Sequence, residues 1–266
     1  MATANQAGPG QITGNVLFYS KPEPLSADLH KNLGVKRMDG PFKFAKAGHA
    51  VPLTVTEFGL AAVCGPIIFV GEEKIPLAVM GLNAGDNMFL QDNGTFEPGV
   101  YVPAYIRRYP FVFANDSAAG QMILCIDRAA EFIVEGGEMP FFEANGEPSE
   151  YTKNCISFCN DYEQERGRTQ GFVQLLKDLD LFHTRQAMFT PTNPDGTAGE
   201  PQVIAEYFAV AEEKLNALPA EKLAELRDNG ALTQIYAHLT SLVGWDRLIA
   251  LAMVKAANAQ PQAANA

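Results

Sequence analysis

The chain has 266 residues, of which 47% are hydrophobic and 10% aromatic, so it can build a folded core and general disorder is excluded. Its formal net charge of −11 argues against non-specific nucleic-acid binding, which requires a positive field that neutralises phosphates. The sequence holds no continuous apolar run of about 18 residues, the length that a membrane-spanning helix needs, so it predicts no span.

Residues 1–15 are small, polar and glycine-bearing, and we expect them to form a flexible tail. This stretch has neither the basic region nor the apolar core of a secretory signal. The sequence therefore favours a cytoplasmic protein. The alternative is the cell surface, reached by secretion that needs no cleaved signal.

The local signals over residues 16–147 favour strands. Short runs rich in valine, isoleucine and aromatic residues are separated, for the most part, by glycine, proline, asparagine or aspartate. The runs are VLFY, FKFA, VPLTVTEF, PIIFV, LAVMGL, NMFLQ, VYVPAYI, PFVFA and MILCI. Asn93-Gly94 tolerates the positive backbone angles of a tight reversal and predicts a hairpin turn. The exception is Thr54–Cys64, which is consistent with a short helix.

The second half of the chain, residues 148–256, is mainly helical by pattern. Apolar residues at three- and four-residue spacing predict a helix over Ser149–Asp180. Gly167 and Gly171 weaken its middle and leave room for a kink or for two helices. Two strands flanking an Asn-Pro-Asp-Gly loop are predicted next.

Two more helices complete the prediction. One stops at Asn229-Gly230, a glycine stop signal, and the last runs from Ala231 to about Ala256. A flexible tail over residues 257–266 follows. Strands first and helices later, without regular βαβ alternation, predict an α+β fold. The strand-rich half, 16–147, is expected to pack against the mainly helical half, 148–256, in a single domain.

Well-marked catalytic motifs are absent from the sequence. It has no phosphate-binding glycine loop, no nucleophile elbow and no metalloprotease motif. The four cysteines lack the spacing of a zinc or redox site, and the four histidines are far apart in sequence. We therefore expect no metal and no cofactor. Enzymatic activity stays an open question, with a role other than catalysis favoured.

The segment YVPAYIRRYPFVF places Arg107 and Arg108 side by side among aromatic residues. In an extended chain alternate residues face one side, so Tyr105, Arg107 and Tyr109 would share a face and Arg108 would lie on the other. One arginine is then expected at the surface or in a cleft, and its neighbour inside the protein.

A buried arginine needs a carboxylate, because an unpaired buried charge costs about 3–5 kcal/mol. Glu57 and Asp127 are the candidate partners, since both lie within apolar sequence. Two interpretations remain open: a structural ion pair, or a cleft in which an arginine grips a carboxylate or phosphate beside tyrosines. His30 is similarly ambiguous, between a hydrogen bond that fixes the local chain and a group that titrates in a cleft.

Several segments resemble the bacterial SapC-like family. They span most of residues 16–248 in the expected order: PLSADLHKNLGV, FKFAKAGHAVPLTVTEF, GPIIFV, YVPAYIRRYPFVFA, LCID, TQGFVQLLKDLDLF and LNALPAEKLAELRDNGALTQIYAHLTSL. The positions that match the family pattern are His30, Pro52, Leu53, Glu57, Arg107, Arg108, Tyr109, Pro110, Phe111, Asp127 and His238. The resemblance implies an association with bacterial surface layers or peptide uptake, and it brings no catalytic assignment.

Residues and resemblance together predict a soluble binding or accessory protein, linked to an envelope or uptake system, with a cleft for an acidic small molecule or peptide. An envelope or uptake protein is the other expected partner, and no nucleic acid is expected. The candidate ligand-binding residues are Arg107, Arg108, Tyr105, Tyr109, Glu57, Asp127 and His30. The alternative is an enzyme in which His30 or Glu57 is the general base and an arginine stabilises developing negative charge.

Overall fold

A computed structural model describes residues 16–116, 121–191 and 197–259. The predicted tail over residues 1–15 and the Asn-Pro-Asp-Gly loop lie outside these ranges, as does the predicted C-terminal tail beyond Ala259. None of the helices in the described ranges combines the length and the hydrophobicity that a bilayer span requires.

Eleven strands and eight α-helices form in the described part of the chain. The strands are β1 (Pro22–Pro24), β2 (Leu33–Val35), β3 (Ala50–Pro52), β4 (Ile67–Val70), β5 (Ile75–Val79), β6 (Phe111–Asp116), β7 (Gln121–Asp127), β8 (Ile133–Glu135), β9 (Met139–Pro140), β10 (Phe182–Phe189) and β11 (Gln202–Val210). The helices are α1 (Ala27–His30), α2 (Phe58–Ala61), α3 (Ala104–Arg107), α4 (Glu150–Asp178), α5 (Glu212–Asn216), α6 (Ala220–Asp228), α7 (Ala231–Ser241) and α8 (Gly244–Ala259). Most strands precede most helices, so the α+β prediction is confirmed.

The chain divides into two compact units. Unit 1 takes the chain up to Ala45, together with Asp92–Thr95 and Ala104–Gln164. Unit 2 takes Lys46–Gln91, Phe96–Pro103 and the chain from Glu165 onward. Helix α4 thus contributes its first half to unit 1 and its second half to unit 2.

Unit 1 contains two antiparallel three-stranded sheets, with strand orders β1-β7-β6 and β8-β2-β9. Strand β6 enters its sheet at Phe111, which pairs with Ile126 of β7. Both side chains are buried and pack with residues of the other sheet and of α4 in one hydrophobic cluster. The other fully or nearly buried members of this cluster are Leu33, Val35, Ala130, Ile133, Phe141 and Cys159.

Unit 2 is built on an antiparallel five-stranded sheet with the order β10-β11-β4-β5-β3. The two strands predicted around the Asn-Pro-Asp-Gly loop are β10 and β11, which pair as a hairpin. Helices α2, α4 and α7 supply apolar side chains to the core of this unit. Its large buried members include Phe58, Ile67, Phe69, Leu176 and Ile235.

The helix predicted over residues 149–180 forms as one continuous helix, α4. Gly167 and Gly171 are both exposed on it, so no packing partner requires a bend there. The helix that stops at Asn229-Gly230 is also confirmed, and Gly230 adopts a positive φ of 79°. The single final helix is wrong, because α7 and α8 are separate. A Cβ on Gly244, the first residue of α8, would lie 2.9 Å from the Gly65 backbone.

The strand predictions of the first half are correct for five runs, which overlap β3, β4, β5, β6 and β7. The Asn93-Gly94 turn is confirmed by a bridge between Leu90 and Phe96, with Gly94 at φ 84°. The short helix predicted over Thr54–Cys64 is also found, as a 3₁₀ turn followed by α2. Four predicted strands are wrong: VLFY is a turn, FKFA is 3₁₀-helical, NMFLQ is a turn that ends at the isolated Leu90 bridge, and VYVPAYI leads into α3.

Candidate functional site

The two adjacent arginines lie at the end of a short helix, so the prediction that they belong to a strand is wrong. The Arg108 amide donates to the Ala104 carbonyl at 3.0 Å, and the Tyr109 amide donates to that of Ile106 at 3.1 Å. Neighbouring side chains on a helix are rotated by about 100°, so the arginines point in different directions. Arg107 is exposed, whereas Arg108 keeps only 7% of its surface. The expected division into one outer and one inner arginine is therefore observed, though not by strand alternation.

The Arg108 guanidinium lies between two tyrosine rings. Its central carbon is 4.3 Å from the Tyr105 ring centroid and 4.4 Å from that of Tyr162. Its carboxylate partner is Glu163, with Nη1 3.5 Å from Oε1, and neither Glu57 nor Asp127 has that role. Burial lowers the pKa of Arg108, but the surrounding tyrosines and Glu163 favour the cation and the net shift is upward.

Tyr105 and Tyr19, which both lie near Arg108, remain neutral. Burial raises the pKa of Tyr105 and of Tyr19 above the usual tyrosine value, although the Arg108 charge opposes that shift. Their hydroxyls donate to the carbonyls of Leu17, at 3.3 Å, and Phe111, at 2.6 Å, respectively. The Arg108 Nε is buried and has no hydrogen-bond partner. The guanidinium is therefore held mainly by ring faces.

Asp127 organises a second polar centre in unit 1. Its buried carboxylate accepts three backbone N–H bonds, from Ser20 at 2.9 Å, Lys21 at 2.8 Å and Ala129 at 3.1 Å. A fourth bond comes from the Tyr109 hydroxyl at 3.1 Å. Burial, reinforced by the Asp127 charge, raises the pKa of Tyr109, so this hydroxyl stays a donor. These bonds fix the chain before β1 to the end of β7 and set the position of Tyr109.

Three cavities meet at Tyr109. Cavity A, of about 300 Å³, is lined by Phe18, Ser20, Met38, Gly40, Pro41, Lys43, Phe44, Tyr109, Ala129, Glu131 and Phe132. Cavity B, of about 380 Å³, is lined by Val35, Lys36, Arg37, Met38, Pro41, Phe42, Phe44, Arg107, Tyr109, Phe132, Met139 and Tyr151. Cavity C, of about 190 Å³, is lined by Arg107, Arg108, Tyr109, Phe111, Tyr151, Asn154, Cys155, Phe158 and Cys159. Because A and B share five residues and B and C share three, we call the three together the aromatic groove.

The aromatic groove is apolar in its walls and basic at its rim. Its walls include seven half-buried aromatic side chains: Phe18, Phe42, Phe44, Tyr109, Phe132, Tyr151 and Phe158. Lys36, Arg37, Lys43 and Arg107 are exposed bases along it, and Glu131 is the only acid among the described lining residues. Contiguous exposed apolar surface rimmed by polar groups marks interaction sites, and here the rim complements an anion.

Cavity C also contains two cysteines on successive turns of α4. Burial raises the pKa of Cys155 to about 11 and that of Cys159 to about 12. Both therefore stay protonated thiols at neutral pH, the form that is a poor nucleophile and a poor metal ligand. They contribute apolar wall rather than reactive groups.

Comparison with known proteins places the chain in a family. The SapC family model matches residues 25–248, which is most of the chain. The chain belongs to the SapC family. No curated protein matches it, and no solved structure does. The SapC match includes most residues of the aromatic groove, among them Arg107 and Tyr109, and confirms the resemblance found from the sequence motifs.

Two of the candidate residues shared with the SapC pattern lie in other clusters. Glu57 belongs to unit 2, where its carboxylate accepts from the Thr54 amide at 2.8 Å, the Thr54 hydroxyl at 2.7 Å and the Tyr101 hydroxyl at 2.7 Å. It forms a capping box at the start of a 3₁₀ helix.

His30 is a buried residue at the end of α1. Its Nδ1 lies 3.1 Å from the Ser26 amide nitrogen, and its Nε2 lies 3.0 Å from a Glu23 carboxylate oxygen. The arrangement is satisfied when Nδ1 accepts the Ser26 N–H and Nε2 donates to Glu23. The ring thus makes the local hydrogen bonds that were one of its two expected roles, and it is not among the residues lining the aromatic groove.

The sequence reasoning missed four residues that shape this region of the SapC chain. Tyr162 and Glu163 enclose Arg108, and Phe44 and Phe132 form walls of the groove. Tyr162 belongs to the apolar periodicity of α4, which predicts that it is buried but not what it contacts. Contacts between residues that are far apart in sequence leave no local pattern, so no signal short of the fold pairs Glu163 with Arg108.

Proposed function

We propose that this SapC-family protein is a binding protein whose aromatic groove takes a ligand with an anionic group beside an apolar part. The observation that supports this most strongly is the meeting of three cavities at Tyr109, with half-exposed aromatic walls and four basic side chains at the rim. An apolar cleft with a few convergent polar groups is the usual form of a ligand site. The local excess of bases contrasts with the chain's net charge of −11.

Arg107 is the arginine we assign to the ligand. It is exposed, lines both cavity B and cavity C, and its guanidinium carbon lies 5.2 Å from the Phe158 ring centroid. That contact orients the side chain, and an arginine guanidinium can bind a carboxylate or phosphate through two hydrogen bonds. Arg108 has a different role, because its buried position between two rings suits it to fixing the site rather than to touching the ligand.

The other predicted site residues divide in the same way. Tyr109 lines all three cavities and is the second residue that we assign to the ligand. Asp127 holds Tyr109 through its hydroxyl, and Tyr105 packs on Arg108, so both are positioning residues. We assign Glu57 and His30 no part in the groove, since their polar atoms complete local hydrogen bonds. We therefore do not assign either residue the general-base role of the alternative hypothesis.

The wider setting of the proposal comes from the family resemblance alone. We propose that the ligand belongs to an envelope or uptake system and that the protein meets it from the cytoplasm. Fractionation of native cells would test this part. Recovery of the protein from the cell surface would replace the cytoplasmic assignment with secretion.

A thermal-shift screen tests the binding proposal. Purified protein is heated with carboxylates, phosphates, amino acids and short peptides. A ligand at 100 times its Kd adds about 2.7 kcal/mol of stability, which raises the midpoint by several degrees for a protein of this size. We expect the shift to disappear in Arg107→Gln, with circular dichroism checking that the variant is folded.

The matched control is Arg227→Gln, which removes an exposed arginine of α6 outside the groove. It is expected to keep the full shift. A hit that survives Arg107→Gln unchanged, or a screen without any hit, would contradict the proposal.

A further inference from the structure

We infer that the ligand of the aromatic groove is an extended, proline-containing acidic peptide segment of a partner protein, because an aromatic ridge divides the groove into successive cavities with basic side chains beside them. This inference rests on the proposed binding function and narrows it to one class of ligand. The inferred ligand is long enough to extend over more than one cavity of the groove.

The ridge is the pair Phe44 and Tyr109. Their rings are stacked, with centroids 3.9 Å apart and an interplanar angle of 24°, and both residues line cavity A and cavity B. Phe18 meets Phe44 edge-on at 5.5 Å and lines cavity A alone, whereas Phe42 lies 6.5 Å from Phe44 and lines cavity B alone. Phe132 meets Tyr109 edge-on at 5.8 Å and is common to both cavities.

A ligand that uses both cavities must cross this ridge. A single planar ring or a small dicarboxylate fits within A or B and leaves the other empty. A polyproline II segment has three residues per turn and no internal hydrogen bonds, so two side chains of each turn can straddle a ridge while the third points away. Its conformation is already ordered before binding, which lowers the entropic cost, and aromatic-lined grooves are the surfaces that recognise it.

Addition of the peptide as a strand is less well supported. Met139 of β9 lines cavity B, and β9 lies at the edge of its sheet. The next residue of β9 is Pro140, which has no backbone N–H to offer an added strand. Binding through side-chain walls therefore suits this groove better than binding through a sheet edge.

The charges around the groove select an acidic segment. Lys36, Arg37 and Arg107 line cavity B, and Lys43 lines cavity A together with the acid Glu131. Arg37 has an exposed partner in Glu138 at 3.7 Å, a contact that water screens. Single-stranded nucleic acid also uses aromatic rings and bases, but it needs a basic track for successive phosphates. The net charge of −11 opposes such a strand, whereas a peptide with a few acids needs only the local rim.

Fluorescence anisotropy with labelled peptides of about nine residues, or three polyproline II turns, tests the inference. The probe repeats Glu-Pro-Pro, and matched peptides repeat Gln-Pro-Pro, Lys-Pro-Pro and Glu-Gly-Gly. We expect the Glu-Pro-Pro peptide to bind tightest. The Gln and Lys peptides should bind at least about tenfold more weakly, because they lose charge-assisted hydrogen bonds. The Glu-Gly-Gly peptide should bind several-fold more weakly, because it must first be ordered.

Variants of the full chain locate the site. Arg107→Gln and Phe132→Ala are each expected to weaken binding of the Glu-Pro-Pro peptide by about tenfold, and Arg227→Gln by none. Circular dichroism and the thermal midpoint check that each variant is folded. If Phe132→Ala does not fold, Lys36→Gln replaces it, since Lys36 is exposed and its loss removes charge from the rim alone.

Several results would overturn the inference. They are equal binding of the Glu-Pro-Pro and Glu-Gly-Gly peptides, tighter binding of an oligo-dT strand, or peptide binding that Arg107→Gln leaves unchanged. If succinate or phosphate binds through Arg107 while every peptide fails, the peptide inference is wrong and the proposed function stands. If neither small anions nor peptides bind, both are wrong.

Discussion

Two buried basic side chains, one in each unit, differ in charge: Arg108 is a cation and His238 is neutral. Arg108 in unit 1 lies between the faces of Tyr105 and Tyr162, beside the Glu163 carboxylate. His238 in unit 2 is fully buried in helix α7, and the Phe69 ring meets it edge-on at 5.0 Å. Aromatic contact is thus common to both regions, so it does not by itself decide whether the base is charged.

The hydrogen bonds of His238 fix it in the neutral form. Its Nδ1 lies 2.9 Å from the Ile67 carbonyl and donates to it, and its Nε2 accepts the Val210 N–H at 3.1 Å. Burial lowers the pKa of His238 to about 4, although the bond to Ile67 opposes that shift. Protonation would put a hydrogen on Nε2, directly against the Val210 N–H.

The difference shows what a buried base requires. Ring faces and a carboxylate are electron-rich and favour a cation, so Arg108 stays charged despite its burial. A backbone carbonyl on one side and a backbone N–H on the other suit one neutral tautomer of imidazole. In unit 1, the ring faces and the carboxylate offset the cost of burying the Arg108 charge. In unit 2, His238 avoids that cost because it stays neutral.

The largest effect is expected from Arg108→Ala. The variant loses two desolvated contacts with tyrosine faces, each worth about 2 kcal/mol, and the packing of the side-chain stem. We expect the free energy of unfolding of the variant, measured by urea denaturation, to be about 4 kcal/mol below that of the wild type. Arg108→Lys keeps the charge without the planar stacking and should retain part of this stability. A loss below about 1 kcal/mol for Arg108→Ala would mean that the ring contacts contribute little.

The next effect is a pH dependence from His238. Its folded pKa of about 4 lies below the ordinary value of 6.5, so between these pH values the unfolded chain binds the proton more strongly. The stability that His238 contributes is therefore complete above pH 6.5 and is lost as the pH falls to about 4. The loss is about 3 kcal/mol, at about 1.4 kcal/mol per pKa unit.

Urea unfolding from pH 7.5 to 4 measures this loss, with His238→Gln as the comparison. Other groups titrate in the same range and affect both proteins, so the difference in slope reports His238 alone. We expect the variant to be less stable at pH 7.5 and to lose less stability on acidification. Identical slopes would show that His238 is not the group that couples folding to pH.

A smaller effect is expected for Glu163→Gln, which removes the carboxylate beside Arg108. The side chain of Glu163 is 21% exposed, and the two tyrosine faces remain, so the loss falls below that of an isolated buried pair. We expect a decrease of about 1–2 kcal/mol in unfolding free energy at low salt. Arg168→Gln, which affects the more exposed pair with Glu165, is the control and should cost about 0.5 kcal/mol or less. Equal losses for the two variants would mean that Glu163 does not stabilise the buried Arg108 charge.

Sequence patterns predicted the parts of the fold that local chemistry decides. The apolar spacing of α4, the hairpin of β10 and β11, and the glycine stop at Gly230 each follow from residues close together in the chain. Helix α3 does not, because Tyr105–Tyr109 is rich in residues that favour strands, and tertiary contacts around Arg108 override that preference. Strand β1 is equally unexpected, since two of its three residues are proline and it pairs only through β7.

For the candidate site as well, local sequence patterns predicted only some of the features. The expectation that one arginine of the pair is outside and the other inside is correct, but helical rotation rather than strand alternation produces that division. Asp127 was expected to be a buried acid and is one, but its partners are backbone amides and Tyr109 rather than an arginine. Phe44 and Phe132 carry no signal in sequence, because a wall of the groove exists only once residues distant in the chain are brought together.

The smallest effect is expected from Tyr109→Phe, and it extends the comparison to a buried acid. The variant removes the hydroxyl that donates to Asp127, while the three backbone N–H bonds to the carboxylate remain. Because those amides still satisfy the charge, we expect a loss of only about 1 kcal/mol in urea unfolding. The ring stays in the groove, so binding of a Glu-Pro-Pro peptide should change little.

Tyr236→Phe, at an exposed position of α7, is the matched control for Tyr109→Phe and should change neither quantity. A loss above about 3 kcal/mol in Tyr109→Phe would mean that the hydroxyl, rather than the backbone, holds the Asp127 charge. The acid would then resemble Arg108, whose partners are side chains. A loss near 1 kcal/mol would mean that the main chain stabilises the Asp127 charge, just as the main chain sets the charge state of His238.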